Sequence, residues 1–333
     1  MGNSFCGCKD DMASKDAEID AIGYTLSRPT AQSHDKPAFQ DSRMNNAIPE
    51  GIDMGSGVPF FRNVPGTNSA QDKTSRSMKM SQDLIIEPTL LAEFQGIPVV
   101  GPVKVAGGGS YEGQILNGQR HGRGIVLFPD QTFYDGTWRN DKKDGYGRCV
   151  DARGCIYEGE FSKNCFEGIG SFLNPETGVS YEGRWKNNMQ EGFGVETWED
   201  GSVFEGEYSE GLKNGKGIFK WTNGSSYQGE FKGDQIDGYG VYVWADGRQY
   251  EGTWRNNQFH GQGTFEYPGK LVYKGGYFMD RKQGYGEMTK SNGEVYKGEW
   301  MQGERHGKGI LANRDGSTVE GIWDKGKLVQ QTK

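Results

Sequence analysis

A short pattern recurs along the C-terminal two-thirds of the 333-residue chain at an almost constant spacing. Each copy has an aromatic residue (valine in the last copy), a charged or polar residue and a glycine, and successive copies start 23 residues apart, except for one step of 24. The copies start at Tyr111, Tyr134, Tyr157, Tyr181, Phe204, Tyr227, Tyr250, Tyr273, Tyr296 and Val319. Self-similarity at a fixed period predicts a repeat architecture in which each copy is one supersecondary unit.

A Gly-x-Gly pair follows the first residue of nine units at the same offset. The pairs start at Gly122, Gly145, Gly168, Gly192, Gly215, Gly238, Gly261, Gly284 and Gly307. A glycine loop that holds a nucleotide phosphate lies between a strand and a helix. No helix is predicted after these pairs, so we interpret their glycines as structural.

Each unit has the features of one β-hairpin. In residues 250–254, alternation with a period of two places Tyr250 and Trp254 on one face, with Gly252 between them. This glycine leaves room for the ring of a neighbouring strand to lie across the backbone. Asp-Gly and Asn-Gly pairs between the units supply the positive φ of tight turns. The composition, with 54 glycines and 12% aromatic but only 33% hydrophobic residues, also favours many short strands.

Because a single hairpin is marginally stable, neighbouring units are expected to pair edge to edge. The sequence therefore predicts an all-β fold. We expect an elongated, single-layer, twisted antiparallel sheet of tandem 23-residue β-hairpin repeats, preceded by a disordered N-terminal arm.

The combination of Tyr-x-Gly-x-Trp, a short turn, Gly-x-Gly and an Asp-Gly turn resembles the MORN (membrane occupation and recognition nexus) repeat family. The resemblance covers residues 110–326, as nine full repeats and a partial tenth. It departs from the family pattern at the ends, where Ile115 replaces the second aromatic residue and Val319 replaces the tyrosine. The resemblance implies a protein scaffold at membranes or the cytoskeleton, with phospholipid binding proposed for some members.

A protein partner of unknown identity is expected to bind the aromatic face in the middle of the array, where flanking repeats order the rings best. The residues predicted to bind it are Tyr227, Trp244, Tyr250, Trp254 and Tyr273. This makes a non-catalytic scaffold the leading hypothesis.

The first ten residues form an acylation motif. After removal of Met1, Gly2 has the amine that N-myristoylation requires, although Cys6 stands where the usual pattern has Ser or Thr. One myristoyl chain binds membranes weakly and no polybasic stretch follows, so we predict S-palmitoylation of Cys6 and Cys8 as the second signal. These acyl chains would hold the protein on the cytoplasmic face of a membrane. The alternative is an ordinary terminus in which Gly2 and the cysteines are incidental.

The segment between this motif and the array divides into two parts. Residues 11–80 are polar, have no period and are predicted to be disordered. Residues 81–109 contain an apolar cluster that we expect to pack on the open edge of the first hairpin and cap it. The cluster consists of Leu84, Ile85, Ile86, Leu90, Leu91 and Phe94.

The net charge of −7 argues against a nucleic-acid partner, which needs a cationic surface. A second hypothesis is that basic residues of the hairpin turns bind a lipid headgroup such as a phosphoinositide. The residues named for this role are Arg139, Lys142, Lys143, Lys186, Lys213 and Lys216. A third is that the array regulates a lipid kinase or methyltransferase in trans. Ten residues follow Trp323, so no catalytic domain is expected in this chain.

No constellation of residues indicates catalysis, a metal site or a cofactor. The three histidines of the array, His121, His260 and His306, lie in separate repeats. The cysteines Cys149, Cys155 and Cys165 lack CxxC spacing, and Cys149 is expected in the core. Acidic residues after the repeat tyrosines are expected to face solvent, opposite the rings. We therefore predict no enzymatic activity, no metal and no cofactor.

Overall fold

A computed structural model of the chain describes residues 92–332. These residues form 21 antiparallel β-strands in one sheet and a short 3-10 turn at Ala106–Gly108. The strands are β1 (Val99–Lys104), β2 (Ser110–Leu116), β3 (Gln119–Leu127), β4 (Phe133–Arg139), β5 (Lys142–Val150), β6 (Ile156–Ser162), β7 (Cys165–Asn174), β8 (Val179–Lys186), β9 (Met189–Thr197), β10 (Val203–Ser209), β11 (Leu212–Lys220), β12 (Ser226–Lys232), β13 (Gln235–Val243), β14 (Gln249–Arg255), β15 (Gln258–Tyr267), β16 (Leu271–Phe278), β17 (Arg281–Lys290), β18 (Val295–Met301), β19 (Glu304–Ala312), β20 (Thr318–Asp324) and β21 (Lys327–Gln331).

Strands β2 to β20 each pair with the strands before and after them in sequence, and β1 and β21 form the two edges, so the order of strands across the sheet is the order along the chain. Two consecutive strands form each hairpin, and hairpins pair through the second strand of one and the first strand of the next. This arrangement confirms the predicted all-β fold and its single sheet. The predicted acylation motif and disordered arm, residues 1–80, lie outside the described residues.

One row of paired glycines crosses the sheet. In β14 and β15 Gly252 is paired with Gly263, and Gly263 is paired in turn with Gly275 of the next hairpin. The same pairing continues from Gly113 in β2 to Gly321 in β20. The 23-residue period of the sequence is therefore the register of the sheet.

The two glycines of each Gly-x-Gly pair have different roles. The first lies in a bulge: between the pairs Gly252–Gly263 and Trp254–Phe259, β14 has one residue where β15 has three. Gly261 lies within this bulge and has a φ of 66°, a left-handed conformation that favours glycine. The second glycine belongs to the paired row beneath the rings. The first glycine is thus required by the backbone conformation and the second by the ring above it, so both are structural, as predicted.

The repeat tyrosines lie flat against this glycine row. A Cβ atom added to Gly263 would lie 2.5–2.6 Å from atoms of the Tyr250 ring, so the ring rests directly on the backbone. Its hydroxyl donates a hydrogen bond to the carbonyl oxygen of Thr253 at 2.9 Å. The expectation that a neighbouring strand supplies the ring was wrong, because the tyrosine of the same strand covers its own glycine as well as the paired one.

The tryptophans at the ends of the first strands join neighbouring hairpins. Trp254 Nε1 donates to the carbonyl oxygen of Gly240 in the preceding hairpin at 3.2 Å. Its ring packs edge-on against Tyr227 and Tyr250, with ring centroids 5.6 and 5.1 Å apart. The face with these rings, called the ring face below, is the core of the molecule. Cys149 is buried there, which confirms the packing position expected for it.

The edge of the first hairpin is covered by residues before the array. Strand β1 pairs with β2, and Phe94, which is 3% exposed, packs edge-on against His121 with ring centroids 5.8 Å apart. Gln114 Nε2 donates to the carbonyl oxygen of Phe94 at 2.8 Å. The other residues of the predicted apolar cluster, residues 84–91, lie outside the described part of the chain.

Candidate binding surface

Four of the five aromatic residues predicted to bind a partner are buried. Tyr227, Tyr250 and Tyr273 are 0% exposed and Trp254 is 3% exposed, so none of their rings presents a surface. The period of two places them correctly on the ring face, but there they form the core. The fifth residue, Trp244, is half-buried and remains accessible.

An accessible aromatic stripe runs beside this core. It consists of Trp221, Trp244 and Tyr267, which occupy the same position in three consecutive repeats at or just after the end of the second strand, and all three are half-buried. Trp198 has this position in the preceding repeat and is buried. The recurrence of these residues at the 23-residue period was the sequence signal for this surface.

Aromatic contacts connect the stripe to the core and to the next repeat. The rings of Trp221 and Tyr242 have centroids 5.2 Å apart, Tyr242 and Trp244 4.6 Å, and Trp244 and Phe265 5.8 Å. Tyr242 is 8% exposed and lies between two more exposed indoles. The accessible surface is therefore a series of rigid rings held by a packed aromatic layer.

Charges flank the two ends of the stripe differently. At the Tyr267 end, the Lys270 amine lies 4.3 Å from the centre of the Tyr267 ring and donates to its hydroxyl oxygen at 3.1 Å. The guanidinium of Arg248 lies over both Trp244 and Tyr267 and also pairs with Asp246 at 2.7 Å. At the other end, the exposed Glu199 follows Trp198.

The six cations predicted to bind a lipid headgroup do not form one patch. Lys143 and Lys213 are 5% and 2% exposed and lie on the ring face, where their amines pack over the rings of Tyr134 and Phe204. They are core residues, so an amine there does not reach a headgroup. The remaining four, Arg139, Lys142, Lys186 and Lys216, are exposed in three different repeats.

An apolar part of the turn edge was not recognised from the sequence. Phe278 and Met279 are each 53% exposed and Met301, in the next hairpin turn, is 44% exposed. The corresponding turns of the preceding two hairpins have Lys232 and Arg255 instead. The substitution of apolar for charged residues at this position of the repeat was the signal that could have identified it.

A buried ion pair interrupts the aromatic layer between β9 and β11. Glu196 accepts hydrogen bonds from the Lys213 amine at 2.7 Å and from the Tyr208 hydroxyl at 2.9 Å. Glu196 and Lys213 are 1% and 2% exposed. Burial, reinforced by Glu196, raises the pKa of Tyr208 well above its ordinary value.

Acidic residues after the repeat tyrosines mostly face solvent on the opposite face, as predicted; Glu182, Glu205 and Glu251 are exposed. Asp135 is the exception at 2% exposure, and it pairs with Arg123 at 2.6 Å. On the same face Tyr239, which is 52% exposed, donates to Glu251 at 2.8 Å. This hydrogen bond raises the pKa of Tyr239.

Residues 92–332 contain no group of three or more His, Cys, Asp or Glu side chains arranged to hold a metal ion. The three histidines have different neighbours: His121 packs on Phe94, His260 on Phe278, and His306 lies 3.4 Å from Asp324. In the same described range, no helix has the length and apolar character needed to span a membrane.

The repeats match a known family model. Nine consecutive ranges fit the MORN repeat: residues 111–133, 134–156, 157–175, 181–203, 204–226, 227–247, 250–271, 273–295 and 296–318. Together they cover more than half of the chain. The chain belongs to the MORN-repeat family. The paired glycine row and the tyrosine rings above it are the structural form of this repeat.

The chain is also similar to parts of other proteins. It is 35% identical over 74 residues to Alsin of Rattus norvegicus, which is 20% of this chain and 4% of Alsin. It is 47% identical over 38 residues to Alsin of Homo sapiens, 11% of this chain and 2% of Alsin. The aligned stretches thus span a small part of these relatives.

Two solved structures align with part of this chain at low similarity. The wild-type TCP10 domain of Danio rerio CPAP aligns at 11% identity with a TM-score of 0.35, over 63% of this chain and 99% of that chain. The TCP10c domain of Drosophila melanogaster Sas-4 aligns at 11% identity with a TM-score of 0.25, over 67% of this chain and 98% of that one.

Proposed function

We propose that this MORN-repeat protein is a non-catalytic scaffold that binds a protein partner through the aromatic stripe while its acylated N-terminus holds it on the cytoplasmic face of a membrane. The observation that supports partner binding is the stripe itself. Trp221, Trp244 and Tyr267 are accessible and rigid, and charged side chains lie beside Trp244 and Tyr267. These are the properties of residues that dominate binding energy in protein interfaces.

The test of partner binding uses the full-length protein in the cell type that expresses it. Trp221→Ala with Trp244→Ala should reduce recovery of the bound partner by at least about tenfold, because two central aromatic anchors are lost. The matched control is Tyr239→Ala, which removes a more exposed ring from the opposite face. A partner recovered equally with all three proteins would refute the stripe as the binding surface.

Membrane attachment is assigned to Gly2, Cys6 and Cys8. Gly2→Ala should move the protein from the membrane to the soluble fraction, since myristoylation requires the glycine amine. Cys6→Ser with Cys8→Ser should give weak, reversible attachment through the single remaining chain. Unchanged membrane association of Gly2→Ala would show that acylation is not the anchor.

A second candidate function is direct contact of the array with lipid, and the observation that favours it is the apolar turn edge at Phe278, Met279 and Met301. Apolar side chains beside an exposed cation such as Arg281 suit the boundary between headgroups and acyl chains. Full-length protein without acyl chains should then bind phosphatidylserine vesicles, and Phe278→Ser with Met279→Ser should abolish this binding. Tyr285→Ser, an exposed ring away from the turns, is the control. Absence of vesicle binding by the unacylated protein would exclude this function.

A further inference from the structure

The aromatic stripe has a spacing that restricts the conformation of its ligand. Its members occur once per hairpin, and adjacent hairpins are two strands apart. At about 4.8 Å per strand, Trp221, Trp244 and Tyr267 therefore recur about every 9.6 Å along the array. A chain that lies along the array must present an equivalent side chain at this interval to contact every ring in the same way.

Regular backbone conformations differ in how well they meet this interval. A polyproline II helix has three residues per turn and a rise of about 3.1 Å, so the same face returns every 9.3 Å or so. A β-strand presents the same face about every 6.7 Å. Two turns of an α-helix span about 10.8 Å, and its diameter of about 10 Å is wide for a stripe one ring across.

The surface between the rings also suits proline. Tyr242, which is buried, lies between the half-exposed Trp221 and Trp244, so a shallow notch floored by a ring separates the two indoles. Phe265 has the position of Tyr242 in the next repeat and packs against Trp244. A flat pyrrolidine ring fills such a notch with little loss of conformational entropy, because its backbone is already restricted.

We infer that the aromatic stripe binds a proline-rich segment in the polyproline II conformation, with proline at every third position, lying along the axis of the array. This inference rests on the proposed function and names the class of its partner. The charges give the segment a polarity. Lys270 lies at the Tyr267 end and Glu199 at the Trp198 end. An acidic residue of the segment should therefore lie near Lys270 and a basic residue near Glu199.

The length of the segment follows from the same spacing. The turns that hold Glu199 and Lys270 are three repeats apart, or about 29 Å. At about 3.1 Å per residue, nine residues of polyproline II span this distance. The ligand is therefore a segment of roughly nine to twelve residues with three or four prolines and opposite charges at its ends.

Isothermal titration of full-length protein with synthetic peptides tests this assignment. The probe is a twelve-residue peptide with proline at every third position, acidic at one end and basic at the other, made in both charge orientations. The comparison peptide has the same composition, but its successive prolines are alternately two and four residues apart. We expect the periodic peptide to bind at least about tenfold more tightly than the comparison peptide, and one charge orientation to be preferred.

Variants locate the site. Trp221→Ala and Trp244→Ala should each weaken binding of the periodic peptide by about tenfold or more. Lys270→Glu should weaken the preferred charge orientation and strengthen the reversed one. Tyr285→Ala, on the opposite face, should leave binding unchanged, and circular dichroism of each variant checks that the sheet is retained.

Equal binding of the two peptides, or no binding of either up to about 1 mM, would overturn the assignment of the ligand class. That result would leave the proposed function standing if Trp221→Ala with Trp244→Ala still abolished capture of the cellular partner. If the tryptophan variants retained both peptide binding and partner capture, the assigned ligand class and the proposed function would both be refuted.

Discussion

At the scale of residues, the array depends on direct contact between tyrosine rings and glycine backbone. Tyr250 rests on Gly252 and Gly263, and neither glycine has the left-handed φ found at Gly261. Their requirement for glycine is therefore steric. Any side chain at these positions has to displace the ring that forms the core.

Gly263→Ala should lower the free energy of unfolding by about 2–3 kcal/mol, since the new Cβ would lie 2.5 Å from the Tyr250 hydroxyl oxygen and the packed layer can accommodate it only by moving. Gly101→Ala is the matched control: Gly101 also lies in a strand, and an added Cβ there meets no atom within 4 Å. Denaturant unfolding of the two variants measures the difference. Equal stability of both would show that the tyrosine does not need the glycine.

A second residue-scale feature is the ion pair of Glu196 and Lys213. One repeat later the same positions contain Phe219 and Ile236, both in the aromatic core. Apolar residues therefore fit these two positions in the next repeat, whereas this repeat has an ion pair there. A buried ion pair is often no more stable than apolar residues of similar volume, whereas one partner without the other is costly.

Lys213→Ile alone should lower the free energy of unfolding by about 3–5 kcal/mol, because it leaves Glu196 buried without its cation. Combining it with Glu196→Phe reproduces the residue pair of the next repeat and should recover most of this loss. A double-mutant cycle by denaturant unfolding measures the coupling. If the double variant is as unstable as Lys213→Ile, the unpaired carboxylate of Glu196 is not the cause of the loss.

The comparison of Tyr250 with Trp244 shows what the sequence could establish about the candidate surface. The sequence analysis assigned both residues to the aromatic face of the array, and both belong to the ring face or pack against it. Their exposure depends on contacts from other repeats: Tyr277 of the next repeat packs edge-on against Tyr250. Such contacts depend on how hairpins stack, which no single repeat specifies. The predicted set of partner-binding residues was therefore mostly core.

At the scale of elements, hairpin turns couple neighbouring repeats. In the turn of β14 and β15, Asn256 and Asn257 both have positive φ, of 49° and 64°. The Asn257 side-chain oxygen accepts a hydrogen bond from the backbone amide of Ile236 in the preceding hairpin at 2.7 Å, and its own amide donates to the Ile236 carbonyl oxygen. The same side-chain bridge is made by Asp141, Asn164, Asn188, Asp234 and Asp280.

Gly211 occupies the corresponding position in the turn of β10 and β11. Its amide donates to the carbonyl oxygen of Gln190, but glycine has no side chain to accept a hydrogen bond from the Gln190 amide. Its φ of 81° is close to the 77° of Asn164. An asparagine can therefore adopt this backbone conformation, and an added Cβ has 3.9 Å to the nearest side-chain atom.

Gly211→Asn should raise the free energy of unfolding by about 0.5–1 kcal/mol by adding the missing bridge. The reciprocal variant Asn257→Gly keeps a residue that tolerates positive φ. It should lower the free energy of unfolding by about 1 kcal/mol or more, because the amide of Ile236 loses its acceptor. Thermal unfolding of both variants measures the effect, with Gly303→Ala as a variant that adds a side chain without an acceptor. If Gly211→Asn and Asn257→Gly changed the free energy of unfolding in the same direction, the stabilising role of the side-chain bridge would be contradicted.

At the scale of the whole molecule, the sequence was most informative about register and least informative about the ends. The constant period determined which glycines pair, and the structure has this pairing from Gly113 to Gly321. Strands β1 and β21 lie outside the predicted bounds of the array, residues 110–326. Neither strand has the repeat motif, because each pairs on one side with a regular strand and has no second neighbour among the described residues. Periodicity therefore could not predict them.

The repeated tyrosines also give the whole array one chemical property. Burial is the largest cause that raises the pKa of these side chains, to about 12 for Tyr296 and further for Tyr227, Tyr250 and Tyr273. Tyrosines whose pKa is raised chiefly by burial include Tyr111, Tyr157, Tyr181, Tyr208, Tyr227, Tyr250, Tyr273 and Tyr277. In the unfolded chain a tyrosine ionises near its ordinary pKa of about 10.

The array should therefore unfold cooperatively in alkali. A group whose pKa is raised by folding makes its full contribution to the free energy of unfolding at any pH below its pKa in the unfolded chain. No loss of stability is therefore expected below about pH 10. Above it the unfolded chain releases protons that the folded chain retains. Each buried tyrosine then lowers the free energy of unfolding by up to about 1.4 kcal/mol per pH unit until its folded pKa is reached. Because the contributions of many buried tyrosines all have the same sign, unfolding should be steep between about pH 10 and 12.

Tyrosinate absorbance and circular dichroism, followed together during an alkaline titration, test this expectation. Both signals should change over the same narrow pH range. The triple variant Tyr227→Phe, Tyr250→Phe, Tyr273→Phe should unfold at higher pH with a shallower slope, because three proton-linked terms are removed. Phe204 already occupies this position in one repeat and is 0% exposed, so phenylalanine fits the site. Exposed tyrosines contribute equally to both proteins and cancel in the difference. A buried phenolate could not remain against uncharged backbone without disrupting the layer. If Tyr227, Tyr250 and Tyr273 of the unmodified protein formed tyrosinate while the sheet stayed folded, the glycine row would not exclude charge.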